Sequence, residues 1–266
     1  MPFVDAGGFK LHYLLDGDPS YPTVLLSNSL GADLSMWDAQ MEALLPAFRV
    51  LRYDTRGHGQ SECPDGPSKL TDLGHDVLML LDALAIDQVH LCGVSLGGLT
   101  GMWIGLHAPD RVRSLVLSNT AAKVGTPEVW KDRISKVEVG GLASIADIVV
   151  PRWFTSSFQQ RSNALSPAKA MLLDCSSCGY LSASAALRDA DLRPHIHQLT
   201  IPTLVISGED DLVTPPSDGH ALEAAIPGAI FRQVPGAHLS NIEEPAFYNA
   251  VLVSFLQQHA TREATE

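Results

Sequence analysis

Positive charge is scarce in this sequence. Lys and Arg number 18 against 30 Asp and Glu, a net charge of −12 over 266 residues. So acidic a chain is poorly suited to polyanions, and neither nucleic acid nor an anionic membrane surface is an expected partner. Long apolar runs are missing too: none approaches the ~20 residues a helix needs to cross a bilayer. The opening residues, Met1-Pro2-Phe3-Val4-Asp5-Ala6-Gly7-Gly8, have no basic start and no apolar core. That argues against an export signal and makes the cytoplasm the expected location. Cysteine is sparse, at Cys63, Cys92, Cys175 and Cys178, and in a cytoplasmic chain these are expected as free thiols. Cys175-Ser176-Ser177-Cys178 has C-x-x-C spacing, but no second C-x-x-C and no His pair completes a zinc site. Nor does it follow a strand, so inert cysteines and no metal are expected.

What is present is a regular alternation. Phe3–Asp5 and Phe9–Leu15 read as two strands around a Gly7-Gly8 turn. Short apolar strands follow at 23–27, 48–53, 89–94 and 112–118, separated by helical spacing at 36–45, 70–84 and 98–108. The alternation breaks near Thr120 and resumes with strands at 203–208 and 230–234 and helices at 216–225 and 246–258. These eight strands imply a mostly parallel sheet with helices on both faces. Residues 126–194 show helical segments only. They read as a helical cap inserted after the sixth strand, with 1–125 and 195–266 as the core. The cap carries a net charge of +1 and the remainder −13, so an anionic substrate could be tolerated beneath it.

The chemistry centres on Gly93-Val94-Ser95-Leu96-Gly97, a G-x-S-x-G run between a strand and a helix. A sharp strand-to-helix turn there would push the Ser95 hydroxyl clear of the backbone, with glycines where a Cβ would clash. The start of the helix then favours developing negative charge. A serine needs a positioned base. His238, in the loop after the last strand, lies at the same carboxyl edge of the sheet as Ser95. His12, His90 and His107 fall inside elements, His195 and His197 flank the cap's exit, and His58 sits on a glycine-rich loop. An acid behind the imidazole is offered by Glu209, Asp210 and Asp211, and spacing alone does not choose among them. The oxyanion would be held by the Leu96 backbone N–H and a second amide near Leu30.

Together these motifs resemble the α/β-hydrolase superfamily over essentially the whole chain. Asp54-Thr55-Arg56-Gly57-His58-Gly59-Gln60-Ser61 is similar to its D-x-R-G-x-G-x-S loop. Gly208-Glu209-Asp210-Asp211 is similar to its G-x-x-D turn, which implies Asp211 as the acid. Many members carry His-Gly where this chain has Asn28-Ser29. More narrowly, Ser27-Asn28-Ser29-Leu30-Gly31, Trp37-Asp38 and Gly93-Val94-Ser95-Leu96-Gly97-Gly98 resemble the 3-oxoadipate enol-lactonases of aromatic catabolism. That resemblance implies cofactor-free hydrolysis of 3-oxoadipate enol-lactone, a small anionic substrate. Its carboxylate would need a cation in an apolar setting, and Arg133 and Arg152 beside Trp130 and Trp153 are the candidates. The same triad would also serve another carboxylic esterase, a C–C bond hydrolase, a haloperoxidase-like enzyme or a ligand receptor of this fold.

Overall fold

Strands that are apolar at every position must be covered on both faces. Thr23–Ser27 and Val89–Val94 are such strands, buried along their whole length at the middle of the sheet. The computed structural model describes residues 2–260. Residue 1 and residues 261–266, counted above with the core, lie outside that range.

In chain order, β1 (Phe3–Asp5) and β2 (Lys10–Asp16) form a hairpin and lead to β3 (Thr23–Ser27). Then come α1 (Asp38–Leu44), β4 (Arg49–Tyr53), α2 (Leu70–Ala83), β5 (Val89–Val94), α3 (Leu96–His107) and β6 (Val112–Ser118). A run of helices follows: α4 (Pro127–Gly140), α5 (Ala143–Val149), α6 (Ser156–Gln159), α7 (Ser166–Asp174) and α8 (Ser177–Asp189). The alternation returns with β7 (Thr203–Gly208), α9 (Pro216–Ala225), β8 (Ile230–Val234), α10 (Ser240–Glu243) and α11 (Pro245–Gln258). The helix expected over 36–45 is split. Asp33 accepts from Ser35 N at 2.8 Å and starts a 3-10 turn at Leu34–Trp37 ahead of α1.

The strand order is β1-β2-β4-β3-β5-β6-β7-β8. The pairs β1–β2 and β2–β4 are antiparallel, and the other five are parallel. After β3 the chain moves outward to β4, then returns to place β5 on the other side of β3. The carboxyl ends of β3 and β5 therefore flank a reversal of strand order, where α/β sheets open a crevice.

The expectation of four free thiols is corrected for two of them. Cys63, in the loop after β4, and Cys178, in α8, form a disulfide with Cα atoms 6.3 Å apart across 115 residues of sequence. The tertiary fold brings them together, and no local spacing announces it. Cys92 and Cys175 are free and buried, and burial pushes both thiols up to about 12.

Candidate active site

The turn at the end of β5 shows why its residues are what they are. Ser95 has φ 54° and ψ −109°, a conformation that costs a non-glycine residue ~1–3 kcal/mol and persists only when its surroundings enforce it. The enforcement is close packing. A Cβ on Gly93 would strike the Gly97 backbone, and one on Gly97 would strike the Ser27 carbonyl at the end of β3. Ser95 N donates to Ser118 O at 3.0 Å, and Thr120 Oγ1 donates to Ser95 O at 2.7 Å. The elbow is thus tied to the segment leaving β6.

That segment reaches the second half of the site through Asn119. Its Nδ2 donates to Asp211 Oδ2 at 3.0 Å and to Ala237 O at 3.1 Å. Its Oδ1 accepts from Ser118 Oγ and Ser240 Oγ. His238 Nδ1 lies 2.8 Å from Asp211 Oδ2, with both side chains buried. The other Asp211 oxygen accepts from Val213 N at 2.7 Å and Thr214 N at 3.0 Å, and Thr214 Oγ1 donates to Oδ2 at 2.8 Å. Burial pushes the Asp211 carboxyl up. The His238 charge and hydrogen bonds from His238, Asn119 and Thr214 more than offset this and hold it at about 2. An ionised carboxylate can only accept, so His238 Nδ1 carries the proton, which leaves Nε2 available as a base. Glu209 and Asp210 are exposed, so of the three carboxylates only Asp211 meets the histidine. No sequence pattern marks Asn119 as part of this site.

Leu30 and Leu96 are both buried. The loop that carries Leu30 is held from beneath by Asn28. Its Nδ2 donates to Tyr53 O at 2.8 Å, and its Oδ1 accepts from Trp37 Nε1 at 2.9 Å. Asn28 and Trp37, which sequence reasoning could only match to a pattern, are therefore partners that shape this loop. The remaining histidines lie elsewhere. His12 contacts Asp54 at 2.7 Å, and His90 contacts Ser114 at 2.7 Å. His58 is fully buried, and burial pushes its pKa down. His195 and His197 are exposed.

The four expected substrate contacts separate. Trp130 is buried, and its Nε1 donates to Val124 O at 2.7 Å. The Arg133 guanidinium lies over the Trp130 ring at 5.2 Å and beside the Tyr180 hydroxyl. Trp153 is buried, and its carbonyl accepts from Leu239 N at 3.0 Å, one residue past His238. Arg152 does not join Arg133. It is exposed, donates to Leu212 O at 2.9 Å and faces a groove lined by Thr155, Asp210 and Leu212. The reason is its position on a 3-10 turn at Val150–Trp153, which turns Trp153 inward and Arg152 outward. Among the described residues no cluster of His, Cys, Asp or Glu could hold a metal ion.

A family model described as the alpha/beta hydrolase fold matches residues 22–245. The chain belongs to the α/β-hydrolase family. It is 39% identical to 3-oxoadipate enol-lactonase 2 of Acinetobacter baylyi over 93% of each chain. The crystal structure of the enol-lactonase from Burkholderia xenovorans LB400 superposes with a TM-score of 0.95 and 43% identity, covering 96% of this chain and all of the other. A thermophilic esterase from Thermogutta terrifontis, solved with malate bound, gives a TM-score of 0.90 at 27% identity over 97% of each chain. This α/β-hydrolase is accordingly a hydrolytic enzyme whose fold matches that of the Burkholderia enol-lactonase over 96% of its length.

Proposed function

We propose that this α/β-hydrolase opens 3-oxoadipate enol-lactone, or a closely related acid-bearing enol-lactone, through an acyl-serine intermediate. The observation that carries the reading is the joined pair of half-sites: the Ser95 elbow, and the Asp211–His238 pair bridged to it by Ser118-Asn119-Thr120. The 39% and 43% identities to enol-lactonases over nearly whole chains support the choice of substrate.

In this mechanism His238 Nε2 takes the Ser95 proton as Oγ attacks the lactone carbonyl. The Leu30 and Leu96 amides hold the developing oxyanion, each such donor being worth ~3 kcal/mol. Asp211 stays ionised and stabilises the imidazolium. Ring opening breaks the acyl–oxygen bond, and His238 returns the proton to the departing enol oxygen. That oxygen remains tethered to the acyl chain and could re-attack. Tautomerisation to the ketone removes the nucleophile and commits the ring to open. Water, deprotonated by His238, then cleaves the acyl-enzyme and releases the 3-oxo diacid. No cofactor enters this scheme.

The substrate's free carboxylate is assigned to Arg133, steadied by the Trp130 face and the Tyr180 hydroxyl. Arg152, exposed on its outer groove, is left without this role. The expected setting is the cytoplasm, with the Cys63–Cys178 disulfide a departure from the free thiols expected there. The test is purified protein with synthetic enol-lactone, followed by loss of enol absorbance in the ultraviolet. Rapid ring opening supports the reading. Hydrolysis of neutral esters with no opening of the lactone would leave a general esterase in its place.

A further inference from the structure

The mechanism above makes no use of the Cys63–Cys178 bond, which among the described residues is the one disulfide and links the helices of 126–194 to the sheet core. Its surroundings form a seam. Gly57 and Gly179 meet so closely that a Cβ on either would collide with the backbone of the other. Ser176 Oγ donates to Gly57 O at 2.7 Å and accepts from Gly179 N at 2.9 Å, capping α8 while holding it to the loop. Two turns along, Ser68 and Ser182 pair through their hydroxyls at 2.7 Å, and Ser68 N donates to Ser182 O at 3.3 Å. Between these contacts α8 carries Tyr180. Its ring edge, with Leu172, fills the space beside Gly31, next to Leu30. One helical turn therefore holds both the tether to the core and the side chain packed on the proposed oxyanion loop.

We propose that Cys63–Cys178 is a redox site, and that its reduction by a dithiol frees the first turn of α8 and slackens Tyr180 against the Leu30–Gly31 loop. Access favours it, since Cys178 is exposed and Cys63 half-buried. The step is balanced as follows. A reductant thiolate attacks Cys63 Sγ, the S–S bond breaks and Cys178 leaves as thiolate. The reductant's second thiol then displaces Cys63. Two electrons and two protons reach the pair, and the dithiol becomes a disulfide. Cys178 is the better leaving group because it sits in the first turn of α8, where free backbone N–H groups stabilise a thiolate. Cys175 is no competitor: it is buried, and its Sγ faces Gly57 O.

The functional half of this inference rests on the oxyanion reading of Leu30, and the structural half does not, so separate readouts test them. Intact mass after denaturing alkylation counts thiols in protein treated with oxidised glutathione, before and after dithiothreitol. Two tagged cysteines rising to four are expected. Hydrogen exchange over 176–182 should quicken by about tenfold on reduction. The kcat/KM for a neutral p-nitrophenyl ester should fall several-fold. Cys63→Ser should match reduced wild type in exchange and in kcat/KM, and ignore dithiothreitol. If Cys63→Ser misfolds, the reductant series on wild type stands alone. Four taggable thiols after oxidation, or unchanged exchange on reduction, would overturn the proposal. Faster exchange with unchanged turnover would overturn its link to the oxyanion loop.

Discussion

Asn119 Nδ2 and His238 Nδ1 meet at the same oxygen, Oδ2 of Asp211, at 3.0 and 2.8 Å. Asn119 also lies between Ser118, which accepts the Ser95 amide, and Thr120, which binds the Ser95 carbonyl. One residue thus couples the orientation of the Asp211 carboxylate to the position of the Ser95 turn, and it does so with φ 44°, in the left-handed region.

Asn119→Ala should lower kcat by roughly 10- to 100-fold with KM little changed, the usual weight of a hydrogen bond to a charged acceptor. Steady-state kinetics check both. Asn119→Asp would add a second carboxylate beside Asp211 and should be worse than Asn119→Ala.

Acid stability should carry the signature of Asp211. Its folded value of about 2 lies below the ordinary 3.8, so it stabilises the fold fully above about pH 4. That contribution, ~2 kcal/mol, fades as pH falls from about 4 toward 2. Urea denaturation should show wild type ahead of Asp211→Asn at pH 5, with the gap closing at lower pH. A constant gap would mean the carboxylate's ionisation is not the source.

Substrate charge should be read by Arg133. Arg133→Ala is expected to weaken kcat/KM for an acid-bearing ester by at least about tenfold, while a neutral ester of equal length changes little. Arg152→Ala, with its guanidinium on the outer Leu212 carbonyl, should leave both unchanged. Paired kinetics on the two esters check this.

The elbow tolerates no added atom. Gly97→Ala puts a Cβ into the Ser27 carbonyl and should cost roughly 1–3 kcal/mol of stability as overpacking, visible as a lowered Tm. Activity should fall further than stability alone explains, because Ser27 leads into the Leu30 loop.

Much of this architecture is legible without coordinates, and the reasons are local. Fully apolar runs at 23–27 and 89–94 announce buried parallel strands, and glycines flanking Ser95 announce a tight turn between strand and helix. The Asp211 choice was open on spacing alone, because three carboxylates share one turn and only the backbone path selects one. Asn119 is invisible in sequence: a lone polar residue after a strand has no pattern, and its partners lie 92 and 118 residues away. The Cys63–Cys178 pair is hidden for the same reason, with the C-x-x-C at 175–178 drawing attention to the wrong partner. Arg152 and Trp153 are adjacent in sequence yet face opposite ways, which composition cannot show.

The central claim is that Ser95 is the nucleophile of an ester hydrolase, and Ser95→Ala assayed on enol-lactone tests it most directly. Ring opening should fall by about 10⁴-fold or more while the Tm stays within a few degrees of wild type. Turnover within about tenfold of wild type in correctly folded Ser95→Ala would contradict the account.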